Sequence, residues 1–101
     1  MGTVRTKEWI KYLPDGFTIY HRLNTLLGEV VSFSVVLLKD DECVTRADMA
    51  HGFAHRDVIG RKSATLYKEP YVNLTPEEVF NYADQDFSEN YAKYNAYYDS
   101  H

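Results

Sequence analysis

The C-terminal part of the chain constrains the fold most, because it reads as one long amphipathic helix that follows only strand-like segments. Thr75 can cap a helix, Pro76 suits the first helical position, and Glu78 completes a capping box three residues after the cap. Apolar and aromatic side chains then recur every three or four residues on one stripe: Phe80, Ala83, Phe87, Tyr91, Tyr94 and Tyr98. The sequence therefore predicts a helix over about residues 76–98 with one face to bury.

The residues before this helix alternate between apolar and polar side chains, as strands with one buried face do. Residues 17–26 and 29–38 alternate most regularly, and the second segment is rich in β-branched side chains, which favour strands. Gly28 suits the reversal between them. Weaker strand patterns lie at 7–13, 43–49, 57–59 and 64–67. We expect an antiparallel sheet of about five strands within about residues 7–70.

Length and composition fit one ordinary globular domain. The chain has 101 residues, of which 45% are apolar and 26% are charged. Packing the helix across one sheet face gives the predicted fold class, a single α+β domain over residues 1–101. The longest uncharged, mainly apolar run, 30–38, contains two serines and covers about half of the ~20 residues that a membrane-spanning helix needs. The N-terminus lacks the pattern of an export signal. We therefore expect a cytoplasmic protein that does not bind membranes.

Acidic residues are concentrated in the C-terminal segment. Residues 1–71 carry ten Lys or Arg against nine Asp or Glu, whereas residues 72–101 carry one against six. A protein that binds DNA without sequence preference normally shows a broad basic stripe, so we expect no generic DNA binding. A modest basic cluster consists of Arg56, Arg61, Lys62 and Lys68. It favours a phosphate-bearing ligand.

One segment concentrates side chains that can carry protons or bind ligands. Residues 50–57 read Ala-His-Gly-Phe-Ala-His-Arg-Asp and follow a strand-like run. We expect them to form a surface loop, since binding and catalytic groups tend to lie on loops of a rigid scaffold. The candidate site residues are His51, His55 and Asp57 for catalysis and Arg56, Arg61 and Lys62 for ligand contact.

A metal site is the first of three interpretations of this segment. Neutral imidazole and carboxylate are good zinc ligands, and His51, His55 and Asp57 would supply the three protein ligands typical of a catalytic zinc. The glycine at position 52 and the preceding strand disfavour the helix on which two histidines four residues apart would converge, and no HExxH pattern is present. We therefore predict no metal and no other cofactor.

Metal-independent cleavage of a phosphodiester such as RNA is the second interpretation. One histidine would take the proton of the 2′-hydroxyl and the other would protonate the leaving oxygen, because imidazole titrates near neutral pH. Asp57 would orient a histidine, and Arg56, Arg61 or Lys62 would neutralise charge that develops on the phosphate.

In the third interpretation the segment performs no chemistry. His51 and His55 would form hydrogen bonds that close the loop, or they would take part in binding alone. The first function hypothesis is accordingly a small binding or interaction protein whose polar loop recognises an anionic ligand or a protein partner. A phosphodiester-cleaving enzyme is the alternative.

The aromatic side chains of the predicted helix bear on partners. Tyr91, Tyr94, Tyr97 and Tyr98 could stack nucleic-acid bases, but they lie on an acidic helix that would repel phosphate. Tyrosine also suits protein interfaces, because it buries a large ring and keeps a polar tip. We expect these residues to pack in the core or in a homodimer interface.

Several segments of the sequence resemble a known group of proteins. They are Ala50-His51-Gly52, His55-Arg56-Asp57, Thr75-Pro76-Glu77-Glu78-Val79, Ala83-Asp84-Gln85-Asp86-Phe87 and Asn90-Tyr91. The chain resembles, over about residues 17–98, a family of small uncharacterised prokaryotic proteins that pair an AHGxxHxD segment with a C-terminal helix. The resemblance implies a fold and no activity. A fainter similarity, to small toxins of toxin–antitoxin pairs, implies attack on RNA, although this chain is acidic and its HGFAHRD segment lacks a denser run of histidines.

Overall fold

The computed structural model describes residues 2–49 and 53–101. These residues form six antiparallel strands, each paired with the next along the chain, followed by one helix. The elements are β1 (Arg5–Tyr12), β2 (Phe17–Leu26), β3 (Glu29–Lys39), β4 (Glu42–Asp48), β5 (His55–Gly60), β6 (Ser63–Pro70) and α1 (Pro76–Ser100). The predicted α+β fold class is confirmed, with six strands rather than five. The two short strand segments expected at 57–59 and 64–67 are longer in the structure. Strands β5 and β6 pair from one end, where His55 lies opposite Pro70, to the other, where Gly60 lies opposite Ser63.

Tight turns connect the central strands. Leu27 and Gly28 connect β2 to β3 with φ values of 53° and 81°, and Asp40 and Asp41 connect β3 to β4 with φ values of 48° and 69°. Two-residue connections with positive φ at both positions match the twist of antiparallel strands. Each pair also contains a register shift, between Asn24 and Thr25 in β2 and between Leu37 and Leu38 in β3. Residues that lie opposite one another across these pairs point to the same face of the sheet.

The helix covers one face of the sheet and packs mainly on β3 and β4. Buried side chains from both layers form the core: Phe17, Ile19, Phe33, Val35, Leu37, Val44, Ala47, Val79, Phe80, Ala83, Phe87 and Tyr98. No described helix or strand lies over the opposite face, which we call the open face. Two neighbouring rows of directly opposed residues cross it. The first consists of Ile10, Tyr20, Val36, Arg46, Asp57 and Lys68, and the second consists of Glu8, Arg22, Ser34, Asp48, His55 and Pro70.

The helix begins where the sequence predicts. The Thr75 hydroxyl accepts a hydrogen bond from the Glu78 backbone N–H at 3.2 Å, and the Glu78 carboxylate accepts one from the Thr75 N–H at 2.9 Å. This capping box fixes the start of α1 at Pro76, and α1 continues to Ser100, slightly beyond the predicted end. Within the described part of the chain, no helix is both long and apolar enough to cross a membrane.

Tyrosines of α1 line the side of the core. Tyr98 is buried, Tyr91 and Tyr94 are partly buried against the core, and Tyr97 is exposed. Core packing is therefore the role seen for most of them. The homodimer expected from the sequence stays a prediction.

Candidate functional site

Strands β4, β5 and β6 bring ionisable side chains together on the open face. The members are Arg46, Asp48, His55, Asp57 and Lys68, which we call the open-face cluster. Arg46 lies opposite Asp57, which lies opposite Lys68, and Asp48 lies opposite His55. Because opposed residues share a face, the antiparallel register alone places all five side chains side by side.

Asp57 is the centre of this cluster. Its side chain is only 1% exposed, and it accepts hydrogen bonds from Arg46 Nε at 2.5 Å and from Lys68 Nζ at 2.8 Å. Burial alone would raise the pKa of this carboxyl. The hydrogen bonds and positive charges of Lys68 and Arg46 outweigh burial, and the pKa of Asp57 lies below its ordinary value. Asp57 is therefore ionised at neutral pH and holds both cations in place.

His55 is fully buried beside Asp57. Its Nδ1 lies 3.2 Å from the Phe53 carbonyl oxygen, and the Phe53 ring lies against the imidazole with the centroids 5.0 Å apart. Since a carbonyl can only accept, we assign the proton of a neutral His55 to Nδ1. Its Nε2 faces Asp48 Oδ1 at 3.0 Å, Asp57 Oδ1 at 3.3 Å and Lys68 Nζ at 3.3 Å.

The positively and negatively charged side chains of the cluster differ in their exposure to solvent. The side chains of Arg46 and Lys68 are 43% and 39% exposed, whereas those of Asp48 and Asp57 are 23% and 1% exposed. The part of the cluster that solvent reaches most easily is therefore cationic, and the carboxylates lie beneath it.

The structure places the predicted site residues on different parts of the sheet. His55, Arg56 and Asp57 belong to β5 rather than to the expected surface loop, so strand alternation directs Arg56 to the face opposite that of its two neighbours. His51, and with it Gly52, lies outside the described residues. Of the predicted catalytic residues, His55 and Asp57 are thus brought together.

The predicted ligand-binding residues are not joined to this pair. Arg56 lies on the helix-covered side, donates to Thr45 Oγ1 at 3.0 Å and to Glu69 Oε2 at 3.2 Å, and stacks over the Tyr94 ring. Arg61 and Lys62 form the turn after β5, about 20 Å along the strand direction from His55. The ligand-binding role of these three residues stays a prediction.

Sequence reasoning did not select Arg46 and Asp48, and it counted Lys68 only as a nearby basic residue. The spacing of these residues in the sequence did indicate which of them share a face of the sheet. Arg46 and Asp48 are two residues apart on a strand, as are His55 and Asp57, so each pair points to a single face. The pairing of those two strands in this register was the missing information.

A second polar contact links the sheet to the helix. His21 is buried on the helix-covered face, and its Nε2 lies 2.7 Å from Asp84 Oδ1, which also accepts a hydrogen bond from Lys11 Nζ at 2.8 Å. Trp9 stacks on the imidazole at 4.7 Å. Burial raises the pKa of Asp84, but the hydrogen bonds from Lys11 and His21 outweigh it and the pKa is lowered. This contact fastens β1 and β2 to α1, which is a structural role.

Comparison with known proteins gives a family. A family model described as a domain of unknown function (DUF7718) matches residues 4–101. The chain belongs to this family. The match covers the sheet, the helix and every member of the open-face cluster. It confirms that the family is an uncharacterised one, whereas the expected prokaryotic origin and AHGxxHxD segment stay predictions. No curated protein and no solved structure matches the chain.

Proposed function

We propose that this protein is a small binding module that takes an anionic ligand on the open face, with Arg46 and Lys68 as the ligand contacts. The observation that supports this proposal most is the difference in exposure between the charged groups. Arg46 and Lys68 are nearly half exposed, and both are held by the Asp57 carboxylate, which is only 1% exposed. Arg46 uses Nε for this anchor, and a guanidinium has further N–H donors at its two terminal nitrogens. Lys68 likewise has three donors on one nitrogen.

Anchoring prepares these cations for binding. Fixing a long charged side chain costs up to about 2 kcal/mol of conformational entropy, and here Asp57 already restricts both side chains before a ligand arrives. A site that is ordered in advance loses less free energy on association. A guanidinium and an ammonium side by side suit phosphate or carboxylate oxygens, which accept charge-assisted hydrogen bonds.

Arg22 extends the positive charge along the same face. It lies opposite Ser34, which lies opposite Asp48, so it is two strand spacings, about 10 Å, from β4. Arg22 is about half exposed, and Glu8 lies 3.8 Å from it in a loose ion pair. A ligand with more than one anionic group, such as a polyphosphate or a short RNA, could therefore reach both positions.

Titration of the isotopically labelled protein tests the proposal. Inorganic pyrophosphate, and in a second series a single-stranded RNA dodecamer, is added in metal-free buffer at constant ionic strength while backbone amide shifts are recorded. We expect saturable shifts on β4, β5 and β6. The Arg46→Gln, Lys68→Gln double variant should weaken binding about tenfold or more, because both anchored cations are gone.

An Arg61→Gln, Lys62→Gln variant is the matched control, since it removes the same charge at the turn after β5. It should leave affinity within about twofold. If this control lost binding while the Arg46, Lys68 variant retained it, the ligand contacts would instead be Arg61 and Lys62, as the sequence predicts. Shifts that do not saturate with either probe would contradict the proposal itself.

Metal-independent phosphodiester cleavage is the alternative function. It needs proton carriers that touch a substrate, and His55 is fully buried while His51 lies outside the described residues. The burial of His55 favours binding over cleavage. If incubation with RNA gave products that survive a chelator and disappear in a His51→Ala, His55→Ala variant, cleavage would replace binding as the proposed function.

A further inference from the structure

Three potential metal ligands converge inside the open-face cluster. His55 Nε2 lies 3.0 Å from Asp48 Oδ1 and 3.3 Å from Asp57 Oδ1, and the ligand atoms of the three residues all lie within 4.8 Å of one another. An ion about 2.1 Å from an imidazole nitrogen and a carboxylate oxygen, at an angle of about 90–110°, places those two atoms about 3.0–3.4 Å apart. The two distances to His55 Nε2 match that range.

The orientation of His55 is the second observation. A histidine that binds a metal commonly donates its other ring N–H to a backbone carbonyl or a carboxylate, which fixes the tautomer and the ring orientation. His55 Nδ1 lies 3.2 Å from the Phe53 carbonyl oxygen, outside the three-residue group. The lone pair of a neutral His55 is thereby directed from Nε2 toward two carboxylates.

This arrangement is stabilised by a positive charge nearby. A lone pair and two carboxylate oxygens are all acceptors, and together in a buried site they repel one another. Lys68 supplies positive charge beside two of the three ligands, because its Nζ lies 2.8 Å from Asp57 Oδ1 and 3.3 Å from His55 Nε2. Its side chain is 39% exposed, so the ammonium can turn out to solvent when another cation takes its place.

We propose that Asp48, His55 and Asp57 bind a divalent first-row transition metal ion, which displaces the ammonium of Lys68. One imidazole with two carboxylates suits zinc, cobalt or manganese, whereas magnesium and calcium prefer ligand sets made only of oxygen. Three protein ligands leave at least one coordination position for water or a ligand, and Asp48, the most exposed of the three, marks the side of entry.

Metal binding deepens the proposed function and rests on the same cluster. Two cationic and two carboxylate side chains offset one another there, so a divalent ion would leave the cluster with a net positive charge. The exposed side of the cluster would then attract anions more strongly. Metal binding nevertheless requires no anion, and the two proposals are tested under separate conditions.

Titration of the full, tag-free chain with Co²⁺ in phosphate-free buffer tests the site. The visible absorption of the bound ion reports coordination by nitrogen and oxygen, and Zn²⁺ added afterwards should displace it. We expect one equivalent to bind and the melting temperature to rise with metal concentration, because the ion binds the folded chain. Mg²⁺ at the same concentration should produce no comparable rise.

Two variants move the affinity in opposite directions. Asp48→Asn removes a partly exposed ligand and should weaken Co²⁺ binding about tenfold or more. Lys68→Met removes the competing ammonium and should tighten binding about tenfold, which a damaged fold would not produce. Asp99→Asn is the matched control: Asp99 pairs with Arg61 beyond the end of β5, and its loss should not change the affinity.

Absence of stoichiometric Co²⁺ binding would overturn the proposal. So would a Lys68→Met variant that binds metal no more tightly than the wild-type protein, or an Asp99→Asn variant that weakens binding as much as Asp48→Asn does. The pyrophosphate titration is carried out without metal and the Co²⁺ titration without phosphate. Failure of either proposal is therefore visible while the other still stands.

Discussion

Replacement of Asp57 by Asn tests whether the open-face cluster is organised by one buried charge. Asparagine has nearly the same volume, but one carboxylate oxygen becomes an NH₂ group that faces a donor, either Arg46 Nε or Lys68 Nζ. At least one of the two charge-assisted hydrogen bonds is then lost, and each such bond contributes about 1.5–3 kcal/mol. Because both cations are about 40% exposed and regain water, we expect a loss of about 2 kcal/mol in the free energy of unfolding at pH 7.

The pH dependence of this difference provides an internal check. The pKa of Asp57 is lowered in the folded protein, so its stabilising contribution is fully present above the pKa of an aspartate in the unfolded chain, about 3.9. That contribution is lost as the pH falls through the folded pKa, since protonated Asp57 resembles asparagine. Asp84, whose pKa is also lowered, is present in both proteins and cancels. The difference should therefore shrink as the pH falls below about 4.

Urea unfolding provides the measurement, followed by far-UV circular dichroism and by the fluorescence of Trp9, which stacks on His21 in the folded state. At about 4–8 °C per kcal/mol, a thermal melt at pH 7 should shift down by about 8–16 °C. The Asp99→Asn control, at an exposed ion pair, should show no measurable loss. A loss below about 0.5 kcal/mol at pH 7 would refute the reasoning. A difference of the same size at pH 3.5 and pH 7 would also refute it.

Two further substitutions test the fold. Phe87→Ala empties a fully buried position of α1 over the sheet and should cost about 3–5 kcal/mol in urea unfolding; a cost below about 1 kcal/mol would mean that the helix does not pack there as described. Thr75→Ala removes one side of the capping box and should cost about 1 kcal/mol, whereas Thr75→Ser, which keeps the hydroxyl, should cost much less; equal losses would assign the effect to the methyl group instead.

Local patterns were sufficient to predict most of the fold. The alternation in β2 and β3 and the capping box at Thr75 depend on neighbours within a few residues, so the sheet and the start of α1 were predictable. The extent of β5 and β6 was not. At one end, Gly60 and the turn after it interrupt the alternation of apolar and polar residues. At the other end, the strands continue to His55 and Pro70 because they pair with each other there.

The candidate site was predictable only in part, for a related reason. His55 and Asp57 stand out by residue type, but their assignment to a loop removed the alternation that separates them from Arg56. Arg46 and Asp48 precede His55 by several residues and join it only through the antiparallel pairing of β4 with β5. Residue type therefore identified part of the cluster, and strand register was needed to complete it.

The first of the two rows that cross the open face changes in character between β3 and β4. On β1–β3 its members are the apolar or aromatic residues Ile10, Tyr20 and Val36, whereas on β4–β6 they are Arg46, Asp57 and Lys68. Apolar side chains would serve a strand equally well at the latter three positions, and exchanging a buried ion cluster for packed apolar residues is often neutral or stabilising. Packing therefore does not require charged side chains at these three positions, and the anionic ligand that we propose would account for them.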